Sequence, residues 1–213
     1  MFAAKRLAFS GVDEIHSSPM GRALETAQPL ADLTGLPVIV EDWAWELRSE
    51  SHTSYPDGVL HTMSQLPATY FHQARFRSLG LEQSFDAVEG MQGAHFKERY
   101  HDIARGLDGL LARCGYRRND EGFYDIAEPN DRHVALFCHC AMQRVLMSHL
   151  YHVPYQFVAA SLYPHFTGVT ALYFETDASR KETMPLLLCY GDVGHFYAEG
   201  ERVVHSLKSS IIY

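Results

Sequence analysis

At 213 residues, 46% hydrophobic and 21% charged, the chain has the balance of an ordinary globular domain and enough length to bury a core. A formal net charge of −8 with no basic run argues against a nucleic-acid partner or an anionic membrane surface. No apolar run approaches the roughly 18 residues that span a bilayer, and Met1-Phe2-Ala3-Ala4-Lys5-Arg6 holds no apolar stretch of secretory type. The four cysteines, Cys114, Cys138, Cys140 and Cys189, read as buried free thiols, so a reducing, cytoplasmic setting is expected.

No repeat, low-complexity tract or linker divides the chain, and one domain over residues 1–213 is expected. Residues 2–10 read as the end of a helix, with Leu7 and Ala8 inward. Val12–His16 is a short strand ending in Ser17-Ser18-Pro19. A helix opens there, with Ser18 as cap, Pro19 at the first helical position and Gly35 closing it. Ala23, Leu24, Ala27, Leu30 and Ala31 form its inward stripe. Val38-Ile39-Val40 is the next strand. Residues 49–130 are less regular: a polar loop over Ser49–Gly58, helices near 61–77 and 94–114, and a small hairpin within 115–131. Val134-Ala135-Leu136-Phe137-Cys138 is a continuous apolar run of the kind buried on both faces. Helices near 141–151 and 154–161 follow it. Strands at Val169–Glu175 and Leu186–Tyr190 finish the sheet. Alternating strands and helices predict a mostly parallel sheet covered on both sides.

Ligands of open α/β sheets bind beyond the carboxyl ends of the strands. At the first such end, Ser17-Ser18-Pro19-Met20-Gly21-Arg22, the helix start offers free backbone N–H groups to an anion. Arg22 adds a planar fork of donors matched to phosphate oxygens. An arginine here opposes the helix dipole, so helix stability does not account for it. The plain alternative is a solvated surface arginine. At the second end, Cys138-His139-Cys140 places a histidine where it can donate to phosphate, or rest as a satisfied core residue. Side-chain alternation points His139 away from the two thiols, which weakens a metal reading. His149 and His152 could share a metal, but a core or surface pair is the simpler reading. Glu46, just after two tryptophans in Asp42-Trp43-Ala44-Trp45-Glu46, is a candidate proton donor if burial raises its pKa, or else a surface carboxylate.

Taken together, the stretch from Asp13 to Ala27, DEIHSSPMGRALETA, closely resembles the second signature of the histidine phosphatase superfamily, the phosphoglycerate mutase-like proteins. That signature is a strand, Ser-Pro, an arginine, an alanine and a Thr-Ala on the following helix. Val134–Leu146 is similar to the family's second-histidine motif, and Glu46 matches the branch whose proton donor is a glutamate. Gly191-Asp192-Val193-Gly194-His195-Phe196 is similar to the tail of bacterial members. The resemblance implies a three-layer α/β/α sandwich with a mostly parallel sheet, and residues 49–130 as a cap or insertion over the site. It implies a small phosphorylated substrate and no cofactor. By the same resemblance Arg22 clamps the phosphoryl group with Ser18 beside it, His139 hydrogen-bonds it, and Glu46 protonates the leaving oxygen. A histidine nucleophile carries the covalent step. Positioning and electrostatics dominate phosphoryl transfer, so this cluster needs no metal to make physical sense.

The sequence departs from the family pattern in three places. Cys140 stands where small residues usually follow the second histidine. No Asp follows His139, against the acid-phosphatase and phytase branch. The Arg-His-Gly motif that carries the nucleophile at the end of the first strand is missing, and Arg132-His133-Val134 enters a strand rather than leaving one. A fragment lacking that first strand is therefore expected. The strand over 134–138 then loses a neighbour, leaving backbone groups on that side unpaired. The expected activity is phosphoester hydrolysis through a phosphohistidine in the complete form, with this chain inactive without its upstream nucleophile. The alternatives are a non-catalytic phospholigand-binding or regulatory domain, a mutase-type phosphotransferase, and a metal-dependent hydrolase. Tyr55, Tyr70, Phe71 and Phe76 point either to an aromatic phosphoester or to packing of the cap. His195 is expected to make a structural hydrogen bond.

Overall fold

The computed structural model describes residues 1–47, 52–54, 60–62, 66–88, 91, 94–177 and 179–203. The chain begins with α1 (Phe2–Phe9), β1 (Glu14–Ser17), α2 (Gly21–Thr34) and β2 (Val38–Val40). The middle holds β3 (His52–Ser54), β4 (Leu60–Thr62), α3 (Ala68–Phe71), α4 (Ala74–Arg77), α5 (Leu81–Ala87), α6 (Ala94–Arg113), β5 (Tyr116–Arg118) and β6 (Tyr124–Ile126). The last part comprises β7 (Val134–Phe137), α7 (Cys140–Tyr151), α8 (Tyr155–Ser161), β8 (Val169–Tyr173), β9 (Glu182–Thr183), β10 (Leu186–Asp192) and α9 (Gly194–Ala198).

The central sheet is parallel, in the order β2-β1-β7. Alternation along β7 divides its side chains between two cores. Ala135 and Phe137 pack with Ile15, Ala4, Ala27 and Leu30 beneath α1 and α2. Val134 and Leu136 pack on the opposite side against residues of α6 and α7, such as Ile103, Val145 and Leu146. The sheet is thus the middle of three layers. α2 buries Ala23, Ala27 and Leu30 at helical spacing and ends at Gly35, whose φ of 75° suits a glycine. Its start differs from the prediction. Met20 is the N-cap and the helix opens at Gly21, because Ser18 Oγ accepts the Met20 N–H at 3.2 Å in a turn before the helix.

Two further expectations are corrected. The predicted helix near 61–77 is broken into β4, α3 and α4, with Pro67, which cannot donate within a helix, standing as the N-cap of α3. Within the predicted polar loop Ser49–Gly58, the described residues His52–Ser54 form a strand paired antiparallel with β4. Tyr55 lies outside the described residues. Tyr70, Phe71 and Phe76 are buried at 3%, 2% and 2% exposure in the cluster that includes Phe85 and Tyr100, so they serve packing rather than a ligand surface. The hairpin within 115–131 is present as β5 and β6, joined by β9.

β8 and β10 do not extend the parallel sheet as predicted. They pair antiparallel with each other in a sheet of their own. Among the described residues, β7 pairs only with β1 and β8 only with β10, so each keeps one open edge. On β10, Leu186 and Leu188 are 61% and 65% exposed. No helix among the described residues is long and apolar enough to cross a membrane.

Candidate active site

Parallel pairing of β1 and β7 sets Ser17 opposite Phe137, and the Ser18 N–H donates to Phe137 O at 2.9 Å. The two strands therefore end level, and the residues that follow each of them meet. His139 is the N-cap of α7, with extended backbone (φ −129°, ψ 163°) and 7% exposure. Its Nδ1 accepts a hydrogen bond from Arg22 Nε at 3.2 Å, and its Nε2 lies 2.8 Å from Ser18 Oγ. A ring nitrogen that accepts from a guanidinium carries no proton, so the proton is on Nε2 and is donated to Ser18. Burial first, and the Arg22 charge second, push the His139 pKa down to about 4. The imidazole is a neutral hydrogen-bond donor at physiological pH.

Arg22 stands exposed in the first turn of α2. Glu46 approaches from the other direction, in the segment after β2. One carboxylate oxygen, Oε1, accepts the backbone N–H of Met142 and that of Leu47, each at 3.0 Å. It thus occupies the first turn of α7, where helix N–H groups have no internal partner. Burial nonetheless raises its pKa above the usual carboxylate range, while those N–H groups and Arg22 pull the other way. The expected rise is present, and its cause is burial. Trp45 is 46% exposed, and Trp43 turns its Nε1–H to Glu41 Oε2 at 2.6 Å. Four residues from three chain segments, Ser18, Arg22, Glu46 and His139, so converge at the carboxyl ends of β1 and β7.

Sequence reasoning missed the frame that holds the Glu46 segment. Glu41, directly after β2 and 6% exposed, receives Trp43 Nε1–H, lies 2.9 Å from His16 Nδ1, and pairs with Arg113. Arg99 of α6 donates to Trp43 O and Trp45 O. The available signal was positional: Glu41 is the third strand end in the parallel sheet, and charged groups buried there need partners.

The other candidates lie elsewhere. Burial pushes the Cys138 thiol up to about 12 and raises that of Cys140, so neither is poised as a thiolate. His149 Nε2 contacts Asp108 at 2.9 Å, whereas His152 meets Arg118, so the two serve different partners. No cluster of metal-ligating groups occurs among the described residues. Arg132 is held by Glu14, and His133 Nδ1 contacts Ser10 O, at the amino end of β7. His195 is 5% exposed, and neither ring nitrogen has a partner among the described residues, contrary to the expected structural hydrogen bond.

Residues 2–185 match the family model described as the histidine phosphatase superfamily (branch 1). No curated protein matches the sequence significantly. Solved structures do match in fold. A mycobacterial glucosyl-3-phosphoglycerate phosphatase complexed with VO3 aligns with a TM-score of 0.51 and 20% identity, covering 90% of this chain and 82% of that one. A mutant phosphoserine phosphatase from Entamoeba histolytica with bound phosphoserine aligns at 0.56 and 17% identity, covering 91% and 80%. YhfR from Bacillus stearothermophilus aligns at 0.54 and 18% identity, covering 91% and 81%.

Proposed function

The chain belongs to branch 1 of the histidine phosphatase superfamily, and from that premise we propose that its site serves the hydrolysis of small phosphoesters. The observation that carries this reading is the meeting of Arg22, His139 and Glu46 at the ends of β1 and β7. Arg22 offers a cation to the phosphoryl oxygens, with Ser18 beside it. Neutral His139 carries one N–H, on Nε2, which rests on Ser18 Oγ and turns to a phosphoryl oxygen that takes the place of that hydroxyl. Glu46, kept protonated to higher pH than an ordinary carboxyl, supplies a proton to the leaving oxygen. The phosphatases among the similar structures, acting on glucosyl-3-phosphoglycerate and phosphoserine, support a small phosphorylated substrate. In this reading residues 49–130 form a cap within one domain.

The covalent step requires an imidazole in line with the leaving oxygen. We place that group on an extended segment added to the open edge of β7, which is supported by the break between the parallel sheet and the β8–β10 pair. Without it the chain binds phosphoesters and turns them over poorly. Free imidazole then replaces the absent side chain. Its nitrogen forms a bond to phosphorus as the ester P–O bond breaks, Glu46 protonates the leaving alkoxide, and water hydrolyses the N-phosphoimidazole to phosphate.

The test is hydrolysis of para-nitrophenyl phosphate and of an alkyl phosphate by the 213-residue chain, with and without imidazole. Imidazole-dependent turnover is expected, lost in His139→Ala. Glu46→Gln is expected to slow the alkyl ester about 100-fold or more, as for loss of a general acid, and the nitrophenyl ester far less, because nitrophenolate leaves without a proton. Phosphate binding with no turnover under any condition would instead favour the non-catalytic phospholigand-binding reading.

A further inference from the structure

Glu46 lies in a stretch without regular structure, between Glu41 and Leu47, yet its carboxyl must stay on the first turn of α7. Something has to fix that stretch, because an unheld carboxylate side chain gains rotamer freedom and hydration by leaving. The helix that passes beside it supplies the answer. Arg99 Nη2 donates to Trp43 O at 2.7 Å and to Trp45 O at 3.0 Å. These carbonyls bracket Ala44, which is fully buried, and Trp45 directly precedes Glu46. Two turns further along α6, Gly106 comes so close to the Trp43 indole that a Cβ there would overlap the ring. Positions 99 and 106, seven apart, share one face of the helix. One face of α6 therefore grips the stretch twice, at its backbone and at its indole. From below, Glu41 accepts the Trp43 Nε1–H and its backbone oxygen accepts the Ala44 N–H at 2.9 Å.

We propose that Arg99 is a positioning residue for the Glu46 carboxyl, acting through the backbone carbonyls of Trp43 and Trp45. This deepens the phosphoester reading, since it concerns the group assigned there as the acid. Burial of the Arg99 guanidinium, which lowers its pKa, agrees with a structural rather than a solvated role. The charges and titratable groups that face Glu46 are Arg22 from α2, Cys138 and Cys140 around the start of α7, and Tyr155 from α8. The cation acting on Glu46 is Arg22, so removal of Arg99 reports on placement and not on a lost neighbouring charge.

The test is a carboxyl-carbon NMR titration of the intact 213-residue chain, with the Glu46 signal assigned by its loss in Glu46→Gln. Arg99→Met keeps the aliphatic stem and removes the donors. It is expected to move the Glu46 midpoint down toward the ordinary carboxylate range, as the released stretch lets water reach the carboxyl. Arg99→Lys, which restores a donor that reaches the carbonyls, is expected to return the midpoint toward wild type. A folded Arg99→Met protein with an unchanged midpoint overturns the proposal, as does a midpoint that falls equally in Arg99→Lys. Should Arg99→Met fail to fold, Arg99→Leu, which also lacks a donor, carries the same two outcomes. The titration needs no ligand or turnover, so it stands or fails separately from the phosphatase reading.

Discussion

At His139, burial and the neighbouring guanidinium both oppose protonation, and this has a measurable consequence for stability. An unfolded histidine takes up its proton at a pH of about 6.5, whereas folded His139 does so only near 4. Between these values the unfolded chain binds more protons, so stability falls as pH drops from about 6.5 to 4 and is retained above that window. His139→Asn removes the titration. Thermal unfolding at pH 7 and pH 5 is expected to show a larger drop for wild type than for the variant; equal drops would contradict the placement of the ring. At this scale the sequence was informative where chemistry and spacing coincide. Arg22 could be singled out because a cation at a helix start opposes the dipole, and His139 because it ends a doubly buried strand. The Arg99 clamp and the Glu41 hub were not legible, since they depend on where α6 passes, which no local pattern encodes.

The elements show the same division. β7 and α2 were readable because each carries an unbroken pattern, a continuous apolar run in one and a stripe of Ala and Leu in the other. The middle of the chain was not, because Pro67 and short apolar runs leave helix and strand nearly balanced until tertiary packing decides. Gly106 is a helix-interior glycine with a visible reason. Replacing glycine by alanine in mid-helix ordinarily gains up to about 1 kcal/mol. Here the new methyl would meet the Trp43 ring, and overpacking of this kind costs about 1–3 kcal/mol. Gly106→Ala is therefore expected to lower the thermal midpoint. A higher midpoint would show that Trp43 does not pack against α6 as described.

Across the whole molecule, the division of the strands into a parallel sheet and a separate β8–β10 pair is the main departure from the sequence reading. It leaves β7 and β8 each with an open edge among the described residues. An apolar strand with an open edge is a template for another strand, and sheets that persist have such edges paired or covered. The proposed phosphate site does not wait on that edge, because Arg22, Ser18 and His139 are brought together by the β1–β7 pairing and the start of α2. The most direct test of the account is calorimetric titration of the 213-residue chain with inorganic phosphate, alongside Arg22→Ala. Loss of a charge-assisted contact is worth roughly 1.5–3 kcal/mol, which is about tenfold to a hundredfold in affinity. Binding by wild type weakened by that factor in the folded variant is the predicted result. Equal affinity of the two proteins, or no binding by wild type, would contradict a phosphate site built on Arg22.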